Sequence, residues 1–273
     1  MDLTRVLRDF YPKYQLRWAE IRYLKLDGKT RYVYTDATPG QLKEIKRRMD
    51  DAGVKLSVLD TAIFKIALPG TTPVGESPAY VGTAQGDFSR QMDDLKRAAD
   101  AAHALGTKRI RIFTFRRVAQ PASIFGRIVD ELRKAIVVAE QYDVTLLVEN
   151  EYDCNTGTGE ETAKLFKAIK SRRLMHNWDP CNVYMMGEQP FPEAWERLDH
   201  SRISHIHLKD AAGEEWKPIG QGKIDFVGQF RALKELNYSG TMSVETRYRN
   251  TAEGQYASSI ESMDGLIRVL KML

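Results

Sequence analysis

Four polar side chains each close a short apolar run: Glu149 in TLLVEN, Asp179 in RLMHNWD, His207 in SHIHLK and Glu245 in TMSVET. A charged group on an otherwise apolar strand is costly to bury unless it is paired or bound to a metal. A single residue of this kind reads as a rim group at the surface; four on successive strands do not. Three carboxylates and one imidazole suit Mn²⁺, Mg²⁺ or Co²⁺ with open positions for substrate oxygens, and Zn²⁺ is also compatible. An all-Cys/His structural zinc site is excluded by the donors themselves. Removing a proton α to a carbonyl needs an electrophile on the oxygen and a base beside the carbon. A metal chelated by the carbonyl and an adjacent hydroxyl stabilises the enediolate, and two carboxylates on opposite walls remove and return the proton. An epimerase needs that pair, whereas a lyase needs one base plus an acid for the leaving hydroxyl. The residues leave both outcomes open.

Something must carry these groups to one place. The intervals between them, 30, 28 and 38 residues, each fit one helix plus loops between successive strands. From residue 40 the chain alternates helical and strand patterns. Helices are expected over 40–52, 88–105, 122–141, 159–171, 191–199, 226–236 and 257–272. Strands are expected over 18–24, 54–60, 109–115, 144–150, 173–179, 204–209 and 241–246. Helices of this length alternating with short Val/Ile/Leu-rich strands mean βα units and a parallel sheet. The reading is an α/β (β/α)₈ TIM barrel with chemistry at the strand C-terminal ends. Only seven strands are found, because residues 1–15 read as a helix or irregular segment. The barrel therefore lacks its first strand, through a truncated or mis-read start, or another element replaces it. No composition shift divides the chain, so residues 1–273 are expected to form a single domain.

The totals narrow the class. A composition of 42% hydrophobic and 29% charged residues is that of an ordinary soluble globular protein. The net charge is +4, with 41 basic residues interspersed among 37 acidic ones, so no basic block points to nucleic acid. Two cysteines, Cys154 and Cys181, make no disulfide framework. The first residues are charged throughout and no run reaches the length of a membrane span. The expectation is a cytoplasmic protein with no membrane partner.

The motifs LLVEN, NWDPCN, HIHLKD, GQGKIDF and SVET, in that order over about residues 144–246, resemble those of the sugar phosphate isomerase/epimerase superfamily of xylose isomerase-like TIM barrels, which also contains the AP-endonuclease branch. WAEIR resembles that family's second strand. The resemblance implies one divalent metal ion held by Glu149, Asp179, His207 and Glu245. It also implies Glu149 and Glu245 as the acid/base pair on opposite faces of a keto-sugar, a small-molecule substrate, and a tendency to homo-oligomers.

Other residues are candidates for the wall of the site. Lys209 shares the face of His207 and is expected to reach a substrate oxygen or carboxylate. Asn182, three residues after Asp179, stands where other members of the family place a histidine and is expected to bind substrate. Glu20, on WAEIR, is a further site-wall candidate. Arg111, Arg116 and Arg117 either recognise an anion or form a solvated charge cluster, the second being favoured. Trp178 neighbours Asp179 and so points away from the axis into core packing, while Trp216 suits an aromatic wall. His205 shares the face of His207 at a different depth; His103, His176 and His200 are given no role. The glycines of GQGKIDF shape backbone rather than bind phosphate, and the Gly/Pro/Thr-rich stretch 67–87 is expected to be a lid. A metal-dependent isomerase or epimerase of a keto-sugar or related polyol is the leading function. A dehydratase or other lyase on a polyhydroxy carbonyl compound is the alternative, and a non-catalytic sugar-binding subunit is a lesser one. A repair endonuclease needs more well-placed histidines than the five present.

Overall fold

The structure, a computed structural model, describes residues 2–75, 87–250 and 254–273. Seven parallel strands, β1 (Trp18–Ile21), β2 (Lys55–Leu59), β3 (Arg109–Ile112), β4 (Thr145–Glu149), β5 (Leu174–Trp178), β6 (Ile203–Leu208) and β7 (Thr241–Val244), are hydrogen-bonded in chain order. Strands in this order need a crossover between each pair, and helices supply most of them. The α/β class and parallel sheet expected from the alternation are present.

The chain divides into two compact units. The first comprises the residues through Glu149 with Asp153–Thr156 and Lys167–Met175. It holds β1–β4 and the helices Pro39–Asp51, Gln91–Ala104 and Pro121–Gln141. Local chemistry sets these elements. At Thr38 the side chain accepts from the Gln41 N–H while the Gln41 side chain accepts from the Thr38 N–H, a capping box with Pro39 at the first helical position. Leu42, Ile45 and Met49, at helical spacing, are the buried face of that helix. Strands β2 to β4 are buried along nearly their whole length, as expected of strands covered on both sides.

The second unit comprises Asn150–Tyr152, Gly157–Phe166 and His176–Leu273. Its core gathers Trp178, Trp195, Ile206, Leu208, Phe226 and Phe230 around β6, with the helices Phe226–Glu235 and Gly254–Leu270 alongside. Trp178 is wholly buried and its Nε1–H donates to Gln229 Oε1 at 3.0 Å, the outward, helix-facing role expected of it.

Three local readings are corrected. The run WAEIRYL is not one strand: β1 ends at Ile21, and Tyr23–Leu26 leaves to pair antiparallel with Lys29–Tyr32. The turn is Asp27-Gly28, both at positive φ (49° and 77°), which is what a tight hairpin demands. A second antiparallel pair, Asp210–Ala212 with Glu215–Lys217, follows β6 where no strand was expected. The helix expected over 191–199 is present only in part, as the short π-helical segment Pro190–Ala194, with Phe191 extended at φ −139°. Ahead of β1, Leu3–Lys13 is helical rather than a strand. The expected lid falls mostly on residues 76–86, outside the described residues; of its described part, Val74 N–H donates to Arg117 O at 2.7 Å. Among the described residues no helix is long and apolar enough to cross a membrane.

Candidate metal centre

Within the second unit, Asp179, His207 and Glu245 each offer a ligand atom, and these atoms lie within 4.8 Å of one another. Each is placed by the end of a strand. Asp179 follows β5 and caps the short helix Pro180–Met185, its carboxylate accepting from the Asn182 N–H at 2.9 Å. Asn150 fixes that turn from the neighbouring strand end: its Oδ1 accepts from Asp179 N–H at 2.8 Å and its Nδ2 donates to Asp179 O at 2.8 Å. Glu245 follows β7, and its N–H donates to Leu208 O at 3.0 Å, continuing the β6–β7 register.

The electrostatics converge on two oxygens. Lys209 Nζ stands 2.9 Å from Asp179 Oδ2 and 2.7 Å from Glu245 Oε2. His207 Nδ1 faces the same two oxygens at 3.8 and 3.6 Å. Lys209 is 2% exposed and Asp179 fully buried, so this ion pair interacts far more strongly than it would in water. The expected Lys209 is thus brought to the ligand group. Asn182 joins it by a different route: it is buried and its Nδ2 donates to Asn150 O at 2.8 Å, so it holds the turn around Asp179. The donor set of hard oxygens and one imidazole nitrogen fits a divalent ion.

Glu149 belongs to the first unit. It is fully buried at the end of β4, its Oε2 accepting from Arg111 Nη1, and Arg111 Nε pairs in turn with Asp60. The guanidinium also lies 4.3 Å from the centre of the Phe113 ring. This overturns the solvated arginine cluster: Arg111 is 1% exposed, Arg116 is buried, and Arg117 Nη1 donates to Cys154 O at 3.1 Å. Glu20, also in the first unit, sits half-buried on β1 beside a register shift.

Several residues escaped the sequence reading. Asn177 lies 3.2 Å from His207 Nε2 through its amide nitrogen. Its signal was available, since it stands two residues before Asp179 on the same strand face. Asn150 and Arg247 were also missed. Arg247 lies over the half-buried Trp216 ring at 5.7 Å, and Tyr152 is 6.5 Å from that ring. Burial alone would lower the Arg247 pKa, but the nearby Glu245 and Glu151 carboxylates and Tyr152 raise it above the usual arginine value. Asp210 serves the loop instead of the donors. Its carboxylate accepts from the N–H groups of Ala211, Gly220, Gly222 and Ile224 at 2.8–3.2 Å. A Cβ on Gly222 would meet Asp210 Oδ1 at 2.1 Å, which is why this loop requires glycine there. His205 Nδ1 lies 2.7 Å from Thr241 Oγ1.

The molecule is thus an α/β protein whose parallel sheet carries a cluster of acidic and imidazole groups at its strand ends. Residues 17–266 match the xylose isomerase-like TIM barrel family, and the chain belongs to it. Among solved structures, the IolI protein with a bound zinc atom superposes with a TM-score of 0.75 at 18% identity, over 100% of this chain and 94% of that one. An L-ribulose 3-epimerase gives 0.70 at 17% identity, over 99% and 89% of the two chains. The probable 3-DHS dehydratase AsbF of Bacillus anthracis gives 0.70 at 15% identity, over 98% and 93%. These likenesses are likenesses of fold. The chain spans less than half the length of the curated relatives it matches, 41% of one and 20% of another.

Proposed function

We propose that the protein is a divalent-metal-dependent isomerase or epimerase acting on a keto-sugar or related polyol by proton transfer through an enediolate. The observation that carries this reading is the convergence of Asp179, His207 and Glu245 on one point. Glu149 is assigned as the fourth ligand, since it directly precedes Asn150, whose side chain is fastened to Asp179. The ion would be Mn²⁺, Mg²⁺, Co²⁺ or Zn²⁺, and it supplies polarisation of a carbonyl oxygen. Glu149 and Glu245 exchange the proton with the adjacent carbon, Glu245 being the more exposed of the two at 26% of its side chain. Lys209 hydrogen-bonds a substrate oxygen, Trp216 and Tyr152 flank the sugar, and Glu20 and Asn182 complete the wall. The chain is proposed to act as one barrel domain in the cytoplasm, free or as a homo-oligomer.

A dehydratase is the second reading, favoured by the likeness to AsbF and by an ammonium, Lys209, beside Glu245 that could protonate a leaving hydroxyl. The test begins with metal content after purification without chelator, for the wild type and for His207→Ala combined with Glu245→Gln. About one ion per chain, lost in the double variant, is the expected result. Keto-sugars are then screened in deuterated water: exchange at carbon with an epimeric product supports the first reading, and loss of water the second. A wild type that binds none of the four ions removes both.

A further inference from the structure

The two ring nitrogens of His207 face different partners. Nδ1 looks toward the Asp179 and Glu245 carboxylates, 3.8 and 3.6 Å away, and Nε2 lies 3.2 Å from the side-chain amide of Asn177. A neutral imidazole carries one proton, and only the nitrogen without it can give a lone pair to a cation. For Nδ1 to serve as the ligand, Nε2 must hold the proton, and the group opposite Nε2 must accept it.

Asn177 meets that condition after one small motion. Its nitrogen is turned to Nε2, while its Oδ1 is buried and accepts no hydrogen bond from the described residues. A half-turn about the terminal side-chain bond exchanges the two ends of the amide at nearly constant shape, placing Oδ1 opposite Nε2. Nε2–H then donates to Oδ1, the orphaned acceptor is satisfied, and the Nδ1 lone pair points at the two carboxylates. Both residues are wholly or almost wholly buried, so water does not substitute for the amide. The placement is also robust to side-chain drift, because Asn177 lies on β5 two residues from Asp179, and its strand pairs with β6, which carries His207.

We infer that Asn177 is a positioning residue of the metal centre: its Oδ1 accepts the Nε2 proton of His207, fixes the Nδ1-ligating tautomer and raises the basicity of that nitrogen. This inference rests on the metal reading above. It makes a sharp distinction between two near-isosteric replacements. Asn177→Asp keeps the acceptor and loses the donor, whereas Asn177→Leu loses both. Removing such an outer partner of a ligand histidine typically costs 10- to 100-fold in metal affinity.

The test is calorimetric titration of metal-free wild type, Asn177→Asp and Asn177→Leu with Zn²⁺, with thermal unfolding of each metal-free protein as the check on folding. Binding by Asn177→Asp at least as tight as wild type, with a loss of about 10- to 100-fold in Asn177→Leu, is expected. Because the aspartate also adds charge, the ¹⁵N chemical shifts of the His207 ring in zinc-loaded wild type provide the independent readout, and this needs no variant to fold. Expected there is a protonated Nε2 and a metal-bound Nδ1. A metal-bound Nε2, an Asn177→Leu protein that binds as wild type does, or folded Asp and Leu variants equally impaired would overturn the inference while leaving the metal site standing. A wild type that takes up no zinc would remove the metal reading itself.

Discussion

The two glutamates proposed to exchange the proton live in different surroundings. Glu149 ends a strand inside the sheet, with β3 on one side and β5 on the other, and is fully buried against Arg111. Glu245 follows β7, the last strand in the sheet order, whose residues are only partly covered. Its side chain is 26% exposed and pairs with the ammonium of Lys209 at 2.7 Å. The same residue type at the same kind of position is therefore clamped in one case and hinged in the other. Arg111 is itself immobilised by Asp60 and by the Phe113 face, so its fork geometry fixes the carboxylate it holds. Lys209 is a point charge on four methylenes and divides itself between Asp179 and Glu245. A proton-transfer pair built this way has one fixed member and one that can follow the substrate.

The largest test of that contrast is stability. Glu149→Ala leaves the buried Arg111 with Asp60 as its acidic partner among the described residues, and breaking a buried pair costs about 3–5 kcal/mol. Glu245→Ala leaves Lys209 paired with Asp179 at 2.9 Å and removes a group already in contact with water, so a loss of about 1 kcal/mol is expected. Urea unfolding of both variants, metal-free, measures the difference. Equal losses would mean that the clamp contributes nothing and that the two positions are equivalent.

A second test acts on the hinged side alone. Lys209 and a divalent ion draw on the same two oxygens, Asp179 Oδ2 and Glu245 Oε2. Lys209→Met removes the competing cation and one positive charge from a buried site, so metal affinity should rise by about tenfold, or 1.4 kcal/mol. Turnover should fall, because the methionine cannot hydrogen-bond a substrate oxygen. Titration with Mn²⁺ and Zn²⁺ reads the first effect and steady-state rates the second. Weaker binding in the variant would show that the ammonium organises the carboxylates instead of competing for them.

The strand ends were legible because strand periodicity and burial cost act locally: an ionised group after LLV or MSV announces itself. What was not legible depended on distance. Asp60, Arg111 and Glu149 come from, or directly follow, three different strands, and no local pattern distinguishes a clamped arginine from a solvated one. Asn177 and Asn150 were overlooked for another reason, since a neutral amide on a strand carries no charge penalty large enough to attract notice. The Asp27-Gly28 hairpin was different again. Its turn signal was in plain view, but the strand-forming residues of WAEIRYL outweighed it, and only the structure shows the strand breaking at Arg22. Asp210 likewise sits in the most site-like motif, HIHLKD, yet spends its carboxylate on four backbone N–H groups.

The smallest expected effect concerns the two thiols, one in each unit. On sequence the two cysteines make no disulfide framework. Both are fully buried. Burial pushes the Cys181 thiol well above its ordinary value, and the neighbouring Asp179 charge adds to the rise, more than offsetting Lys209. Since the thiolate is the nucleophile, Cys181 should be silent to a disulfide reagent at pH 8 and label only as the protein opens. Its labelling rate then reports local opening beside Asp179, and Cys154 reports the same for the first unit. If the second unit holds the hinged member of the pair, a divalent ion should slow labelling of Cys181 more than that of Cys154. Equal slowing at both positions would mean that the ion stabilises the two regions as one body, and the contrast between clamp and hinge would not extend beyond the two glutamates.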